Sequence, residues 1–387
     1  MPSLVIERAA RHYRALLLKE IIPFWLRRGV DWEYGGVLSS MTETGELITT
    51  DKYLWSQGRW LWVAAAVYNR LEPNAELLKS AQATARFLLR HGRDGEGRWQ
   101  FAVTRTGEPL VGHTSIFSDC FAVYGLSEYY RVTREEEALR VALETFARIR
   151  RRVEEPDFRE VAPATLKPGR RAHAVPMILT EVANELAQTT GLAEVEAAAD
   201  EYARRVLHYF RRPERKAVLE YLDWNYEPLP GAEGSAVEPG HAIESMWFVL
   251  HWARRRGDEQ AIAQAVECIR WHCELGWDDE YGGLLLAVDI GGHEPYLAHW
   301  DKKLWWVHTE ALYALLLAYQ LTGESWCAEW YERIHDWSWR HFYLPEVGEW
   351  RQRLNRQGEP VTELIALPVK DPFHLPRAAL LAATLVQ

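Results

Sequence analysis

His241 and Glu244 stand three residues apart in Pro239-Gly240-His241-Ala242-Ile243-Glu244-Ser245-Met246-Trp247, and His374 and Arg377 stand three apart in Phe373-His374-Leu375-Pro376-Arg377. Residues at that spacing share one face of a helix. The Pro-Gly pair opens an apolar run (Ile243, Met246, Trp247, Leu250), which reads as the first turn of a buried helix. There a carboxylate can hold an imidazole in one tautomer and raise its basicity, which prepares a general base. Proline beside the second histidine likewise breaks the preceding structure. The expectation is an enzyme with two acid-base imidazoles, His241 and His374, with Glu244 orienting His241.

Other chemistry-bearing residues fall at similar places. Arg59 lies in Trp55-Ser56-Gln57-Gly58-Arg59-Trp60, Asp119 in Ile116-Phe117-Ser118-Asp119-Cys120, and Lys302, Lys303, Trp305, His308 and Glu310 follow Trp300. Burying such groups needs a reason, and a central cavity supplies one. Arg59, Glu244, Glu310, Arg377, Trp305, Asp119 and His308 are therefore candidate substrate-binding residues, although Arg59 and Glu310 would also serve as a structural ion pair. His173, His293 and His299 read as loop or supporting residues. Nineteen tryptophans are compatible with core filling and with an aromatic-lined cavity of the kind that holds sugars.

The elements that must position these residues come from a repeat. An acidic, glycine-containing turn returns as Asp31-Trp32-Glu33-Tyr34-Gly35-Gly36, Arg93-Asp94-Gly95-Glu96-Gly97, Asp278-Asp279-Glu280-Tyr281-Gly282-Gly283 and Pro345-Glu346-Val347-Gly348. Gly35 to Gly97 is 62 residues, Gly97 to Gly282 is 185, and Gly282 to Gly348 is 66. Degenerate members are expected at Glu155-Pro156-Asp157-Phe158 and Val218-Leu219-Glu220-Tyr221-Leu222. Second turns about ten residues on, such as Thr44-Gly45-Glu46 and Thr106-Gly107-Glu108, make each loop a short hairpin.

Between the loops lie helical pairs at 53–71 with 75–91, 115–132 with 134–151, 174–190 with 194–211, 240–256 with 259–276 and 303–322 with 324–342. Residues 4–28 and 372–386 make a sixth pair. Joining the ends closes a ring, so the pattern predicts an all-α fold, an (α/α)6 barrel of twelve helices in a single domain spanning 1–387. The first helix of most pairs is apolar on every face and belongs inside; the more one-sided partners belong outside.

Composition excludes several classes. Net charge is −10, and no basic run is long enough to follow a phosphate backbone, so nucleic acid is not expected as a partner. The four cysteines show neither zinc spacing nor a disulfide framework. No apolar run of about 18 residues occurs, so no membrane partner is expected and the protein reads as cytoplasmic. There is no H-E-x-x-H and no phosphate loop, so neither a metal nor a required cofactor is expected. Glu244 and Glu310 could be the carboxyl pair of a glycoside hydrolase, and a non-catalytic sugar-binding barrel is a further alternative.

Over nearly its whole length the chain resembles the N-acylglucosamine 2-epimerase family, which also includes cellobiose and mannose 2-epimerases and mannose isomerases. The resemblance rests on WSQGRWLW from Trp55, SIFSDCFA from Ser115, HGRDGEGRW from His91, AVPMIL from Ala174, PGHAIESMWF from Pro239, WDDEYGGL from Trp277, KLWWVHTEAL from Lys303 and FHLPRA from Phe373. It implies an (α/α)6 barrel, with His241 and His374 as acid and base and Arg59, Glu244, Glu310 and Arg377 around the sugar. The similarity is greatest to the N-acylglucosamine 2-epimerases themselves. Some relatives acting on unmodified sugars have an extra histidine on this helix, where this chain has Ile178. The N-acyl branch tends to have a Lys/Gly/Trp-rich run where this chain has Ala366-Leu367-Pro368-Val369-Lys370-Asp371-Pro372, and often Asn where it has Glu238. The implied reaction opens the pyranose, removes the C2 proton through an enediolate and returns it on the other face; aldose–ketose isomerisation and 2-epimerisation of unmodified sugars are the alternatives within the family. The resemblance also implies a homodimer and makes ATP a candidate effector.

Overall fold

The computed structural model describes residues 4–161, 165–362 and 368–386. Helix α1 (Leu4–Leu16) runs on through a π turn (Leu17–Ile21) into Ile22–Arg28. Pro23 lies at the start of that last stretch, where its missing N–H forces the change of hydrogen-bond register. The other helices are α2 (Leu54–Arg70), α3 (Ala75–His91), α4 (Ile116–Thr133), α5 (Glu136–Arg152), α6 (Ala174–Thr190) and α7 (Ala193–Arg205, continued by a π turn Val206–Phe210). After them come α8 (Pro239–Arg256), α9 (Glu259–Gly276), α10 (Trp305–Thr322), α11 (Ser325–His341) and α12 (His374–Ala383).

Helices α2, α4, α6, α8, α10 and α12 pack side by side in that order, and α12 returns to α2, so the inner ring closes. Each inner helix has its chain neighbour outside it, and α1 covers α12. The expected twelve-helix barrel is the observed one. Apolar residues on every face are the reason for the inner placement: from Val307 to Ala318 every residue of α10 is buried, whereas α5 buries a single stripe, Ala138, Val141, Ala142, Thr145, Phe146 and Ile149. Gly58 and Gly125 let α2 and α4 touch backbone to backbone. A Cβ on Gly58 would fall 2.4 Å from the Phe121 carbonyl oxygen, and one on Gly125 would fall 2.5 Å from that of Gly58.

The loops hold the inner helices in register. Two- and three-residue strands just before inner helices pair with the next hairpin: Lys52–Tyr53 with Ala102–Val103, Arg170–Ala172 with Tyr221–Asp223, Ala236–Val237 with Val288–Asp289, and Lys303–Leu304 with Arg353–Leu354. The degenerate repeat at Val218–Leu222 links two strand pairs, Arg211–Arg212 with Ala217–Val218 and Arg170–Ala172 with Tyr221–Asp223, while Glu155–Phe158 is turn only.

Two loops share one ionic brace. Asp31 binds Lys52 at 3.0 Å and Arg105 at 2.9 Å; Asp278 binds Lys303 at 3.1 Å and Arg356 at 3.0 Å. Both lysines are wholly buried. All four cysteines are buried and free. Among the described residues no helix is long and apolar enough to cross a membrane.

Candidate active site

The N-terminal turns of the inner helices converge on one cavity of about 470 Å³, within the usual range for small-molecule sites. Trp55 and Arg59 reach it from α2, His241 and Glu244 from α8, Trp305 and Trp306 from α10, and His374 from the first position of α12. Six convergent helix N-termini favour negative charge inside it.

His374 has both ring nitrogens engaged. Its Nδ1 lies 2.6 Å from Glu310 Oε1, and its Nε2 lies 3.3 Å from Arg59 Nη2. A guanidinium only donates, so Nε2 is the acceptor and the ring proton sits on Nδ1, directed at Glu310. Asp371 fixes this arrangement from two sides. Its Oδ2 accepts from the backbone N–H of His374 at 2.7 Å, and its Oδ1 takes Arg59 Nη1 at 2.7 Å. Burial lowers the Arg59 pKa to about 10, so the group stays cationic at neutral pH. Behind His374, Arg377 bridges Glu310 at 2.9 Å and Glu244. Burial works against the charge on Glu310, but Arg377 and His374 hold its pKa below the usual carboxylate range.

His241 is set differently. Its Nδ1 lies 3.3 Å from Glu220 and 3.3 Å from Glu238. Burial opposes the ring's charge, but Glu238 and Glu220 outweigh it and raise the pKa to about 10. His241 is therefore an imidazolium, whereas the Nε2 lone pair of His374 accepts from Arg59. Glu220, also faced by His173, is held low despite its burial, while Glu238 is pushed up by burial and by its neighbour Glu220. The Trp306 ring touches both imidazoles, 5.3 Å from His241 and 5.8 Å from His374 between centroids.

These contacts revise four expectations. Glu244 does not orient His241; it pairs with Arg377, and Glu220 and Glu238 take that place. The candidate Arg59–Glu310 pair is absent among the described contacts, since Arg59 pairs with Asp371. His308 lies outside the cavity lining, wholly buried. Its Nε2 accepts the Leu284 N–H at 2.9 Å and its Nδ1 meets the Leu304 carbonyl at 2.8 Å, and burial lowers its pKa to about 3. It is a latch for the loop before α10, as Gln57 is for Val37. Asp119 also lies outside the lining, beside His113 at 3.4 Å, with its pKa raised by burial. Trp305 is where expected, lining the cavity, as is Arg59, while Glu310 and Arg377 stand one layer behind.

Sequence reasoning missed Glu220, Glu238 and Asp371. Glu220 sits in the degenerate repeat, and Asp371 stands three residues before His374, an N-cap spacing that was readable. In the run from Ala366 to Pro372, Ala366 and Leu367 lie outside the described residues. Two groups, Glu220–Glu238–His241 and Glu244–Glu310–His374, bring carboxylate and imidazole atoms within 4.8 Å of one another. In the second, both carboxylates face the one Arg377 guanidinium rather than flanking a space for a glycosidic bond, which is not the geometry of a hydrolase pair.

The profile of the N-acylglucosamine 2-epimerase (GlcNAc 2-epimerase) family matches residues 31–378. The chain belongs to that family. It is 33% identical to the N-acylglucosamine 2-epimerase of Bos taurus over 380 residues, covering 96% of this chain and 89% of the relative. With that of Homo sapiens it shares 32% over 375 residues, covering 93% and 86%. Among solved structures, the cellobiose 2-epimerase from Bacillus thermoamylovorans B4167 superposes with a TM-score of 0.84 at 21% identity, covering 97% of this chain and 98% of the other. That likeness concerns the fold.

Proposed function

We propose that the protein interconverts N-acylglucosamine and N-acylmannosamine by moving a proton at C2. The observation that carries this reading is the pair of cavity imidazoles with unlike partners: His241 among carboxylates that keep it protonated, and His374 with Nδ1 on Glu310 and Nε2 accepting from Arg59. In the open-chain sugar Arg59 Nη2 transfers its hydrogen bond from His374 Nε2 to the sugar's C1 oxygen, and Nε2 takes the C2 proton beside the aldehyde. The C2–H electron pair moves into a C1–C2 double bond and the carbonyl electrons onto the C1 oxygen. His241 then delivers a proton to the opposite face of C2, and the carbonyl re-forms. The reverse direction uses the same groups with their protons exchanged.

A carbon acid this weak needs its anion stabilised. Arg59 is the nearest cation to His374 Nε2, and one well-placed donor is worth about 3 kcal/mol. Glu310 steadies the Nδ1 proton and the charge that His374 acquires. No metal is called on, and chelator-resistant activity is expected. Action in the cytoplasm as a homodimer, and ATP as an effector, belong to the same proposal.

Proton NMR in D2O tests it, with N-acetylmannosamine, N-acetylglucosamine, mannose and glucose each incubated with the protein, with and without ATP. Deuterium at C2 together with interconversion of the two N-acetyl sugars is the expected result. Fructose formed from mannose, without reaction of the N-acetyl sugars, would replace epimerisation by isomerisation.

A further inference from the structure

The cavity has two unlike walls. The helices α8, α10 and α12 bring His241, Glu244, Trp305, Trp306 and His374, while α4 and α6 bring Phe117, Phe121, Met177 and Ile178. These four are 8%, 4%, 5% and 6% exposed, whereas Leu179 and Val182, turned into the helix packing, are at 0%. The small residual exposure is surface facing the cavity. It is apolar and, on α6, aliphatic. A sugar ring stacks on aromatic planes, which Trp305 and Trp306 supply on the other side, and it has hydroxyls at its edges that an aliphatic wall cannot satisfy.

Ring order decides what meets that wall. Helix α10 stands between α8 and α12, and α4 lies across the ring from it. The Trp306 plane touches both imidazoles from the α10 side. If C2 sits between His241 and His374, its hydrogen and its vacant face point at those rings, and of its other substituents, C1, C3 and the acylamino group, the acylamino group is the one that ends in an apolar methyl and suits the wall of α4 and α6. Two polar groups edge it: the Arg59 guanidinium, over the Phe121 ring at 4.2 Å and the Trp55 ring at 4.5 Å, and the Trp55 indole N–H. The indole Nε1 of Trp55 is buried and meets no acceptor among the described residues, and its ring stacks on Phe121 at 5.6 Å. An apolar surface with donors only at its Trp55 edge is complementary to an acylamino group, a carbonyl oxygen followed by a methyl.

We propose that Phe117, Phe121, Met177 and Ile178 form the subsite for the acyl group on C2, with Trp55 Nε1 donating to the acyl carbonyl, and that Ile178 limits the length of the acyl chain. This rests on the epimerase reading above. The subsite makes the N-acyl group the feature by which the enzyme selects its substrate, and it sets the reactive carbon between the imidazoles by holding its substituent.

The test measures kcat/KM for deuterium incorporation at C2 with N-formyl-, N-acetyl- and N-propanoylmannosamine, on the wild type and on Ile178→Ala, Ile178→Val and Trp55→Phe. The wild type should prefer acetyl over formyl by about tenfold, the discrimination a hydrophobic pocket gives for one carbon. Ile178→Ala should shift the propanoyl-to-acetyl ratio upward by about tenfold and Ile178→Val by less. Trp55→Phe should weaken all three by up to about tenfold with their ranking kept. Ratios within one preparation are insensitive to how much of a variant folds. Turnover of N-acetylmannosamine with the same ranking in the wild type and Ile178→Ala would overturn the subsite and leave the epimerase intact. Absence of exchange with every N-acyl sugar by the wild type would remove both.

Discussion

Arg59 Nη2 lies 3.3 Å from His374 Nε2, and the same guanidinium grips the carboxylate that caps the helix on which His374 sits. One cation thus positions the base and lines the cavity in which the proposed enediolate would form. Arg59→Met should lower kcat about 10²–10³-fold, the cost of removing a donor to a developing oxyanion. Arg59→Lys should recover only part of this, since one ammonium cannot reach both partners. Steady-state kinetics on N-acetylmannosamine reads both, and an unchanged kcat in Arg59→Met would place the anion elsewhere.

His241→Asn and His374→Asn should each lower net epimerisation by at least about 10²-fold, with sugar binding retained. Each variant keeps one imidazole, so each should still exchange the C2 proton of one epimer, and the two should differ in which. Solvent-deuterium incorporation followed separately from each epimer checks this.

The charge on His241 depends on two carboxylates. Its pKa is raised from 6.5 to about 10, chiefly by Glu238 and Glu220 against the opposing effect of burial. The charge therefore favours the folded protein most fully below pH 6.5, and that contribution fades as pH climbs through about 10. Activity that uses His241 as the acid should persist to the same upper limit. Glu220→Gln should bring the basic limb of the kcat profile toward neutrality while leaving the acidic limb in place. A pH–rate series on both proteins decides it.

Lys303 is wholly buried against Asp278. Asp278→Asn leaves that ammonium without its counter-charge and should cost about 3 kcal/mol or more, measured from urea unfolding. Despite burial, the Asp278 pKa is lowered from 3.8 to about 2 by Arg356 and Lys303. Its stabilisation is therefore complete above pH 3.8 and lost as pH falls toward 2, a loss that should be missing from the acid unfolding of Asp278→Asn.

Dialysis against a chelator should leave C2 exchange unchanged, because the carboxylates near His241 and His374 are already neutralised by imidazolium and guanidinium. Loss of activity, restored by a divalent cation, would assign the Glu220–Glu238–His241 group to a metal.

The barrel was legible because its evidence is periodic. Glycine turns recur at fixed intervals, and an inner helix such as α10 has no polar face. His241, His374 and Arg59 were legible because a charged residue at a buried helix start has few structural uses. Their pairings were not. Spacing along one helix suggested Glu244 for His241, but the contacts that matter cross between elements: Glu220 arrives from a hairpin and Asp371 from the loop before α12. His308 misled for a related reason. A buried histidine on an inner helix can turn its ring to a loop's backbone as readily as to a cavity, and only packing against Trp337 shows which.

The six convergent helix N-termini face a cavity whose own lining is rich in carboxylates, Glu220, Glu233, Glu238, Glu244 and Asp371, so the acidity of the molecule continues into its site. Its net charge of −10 acts at long range and is screened within about 8 Å at physiological salt, whereas fields inside a low-dielectric cleft are screened far less. The consequence is kinetic and depends on ligand charge. Neutral sugars arrive unaffected by ionic strength. An open-chain aldonate would be repelled both at a distance and at the mouth, so its association should quicken as salt is added.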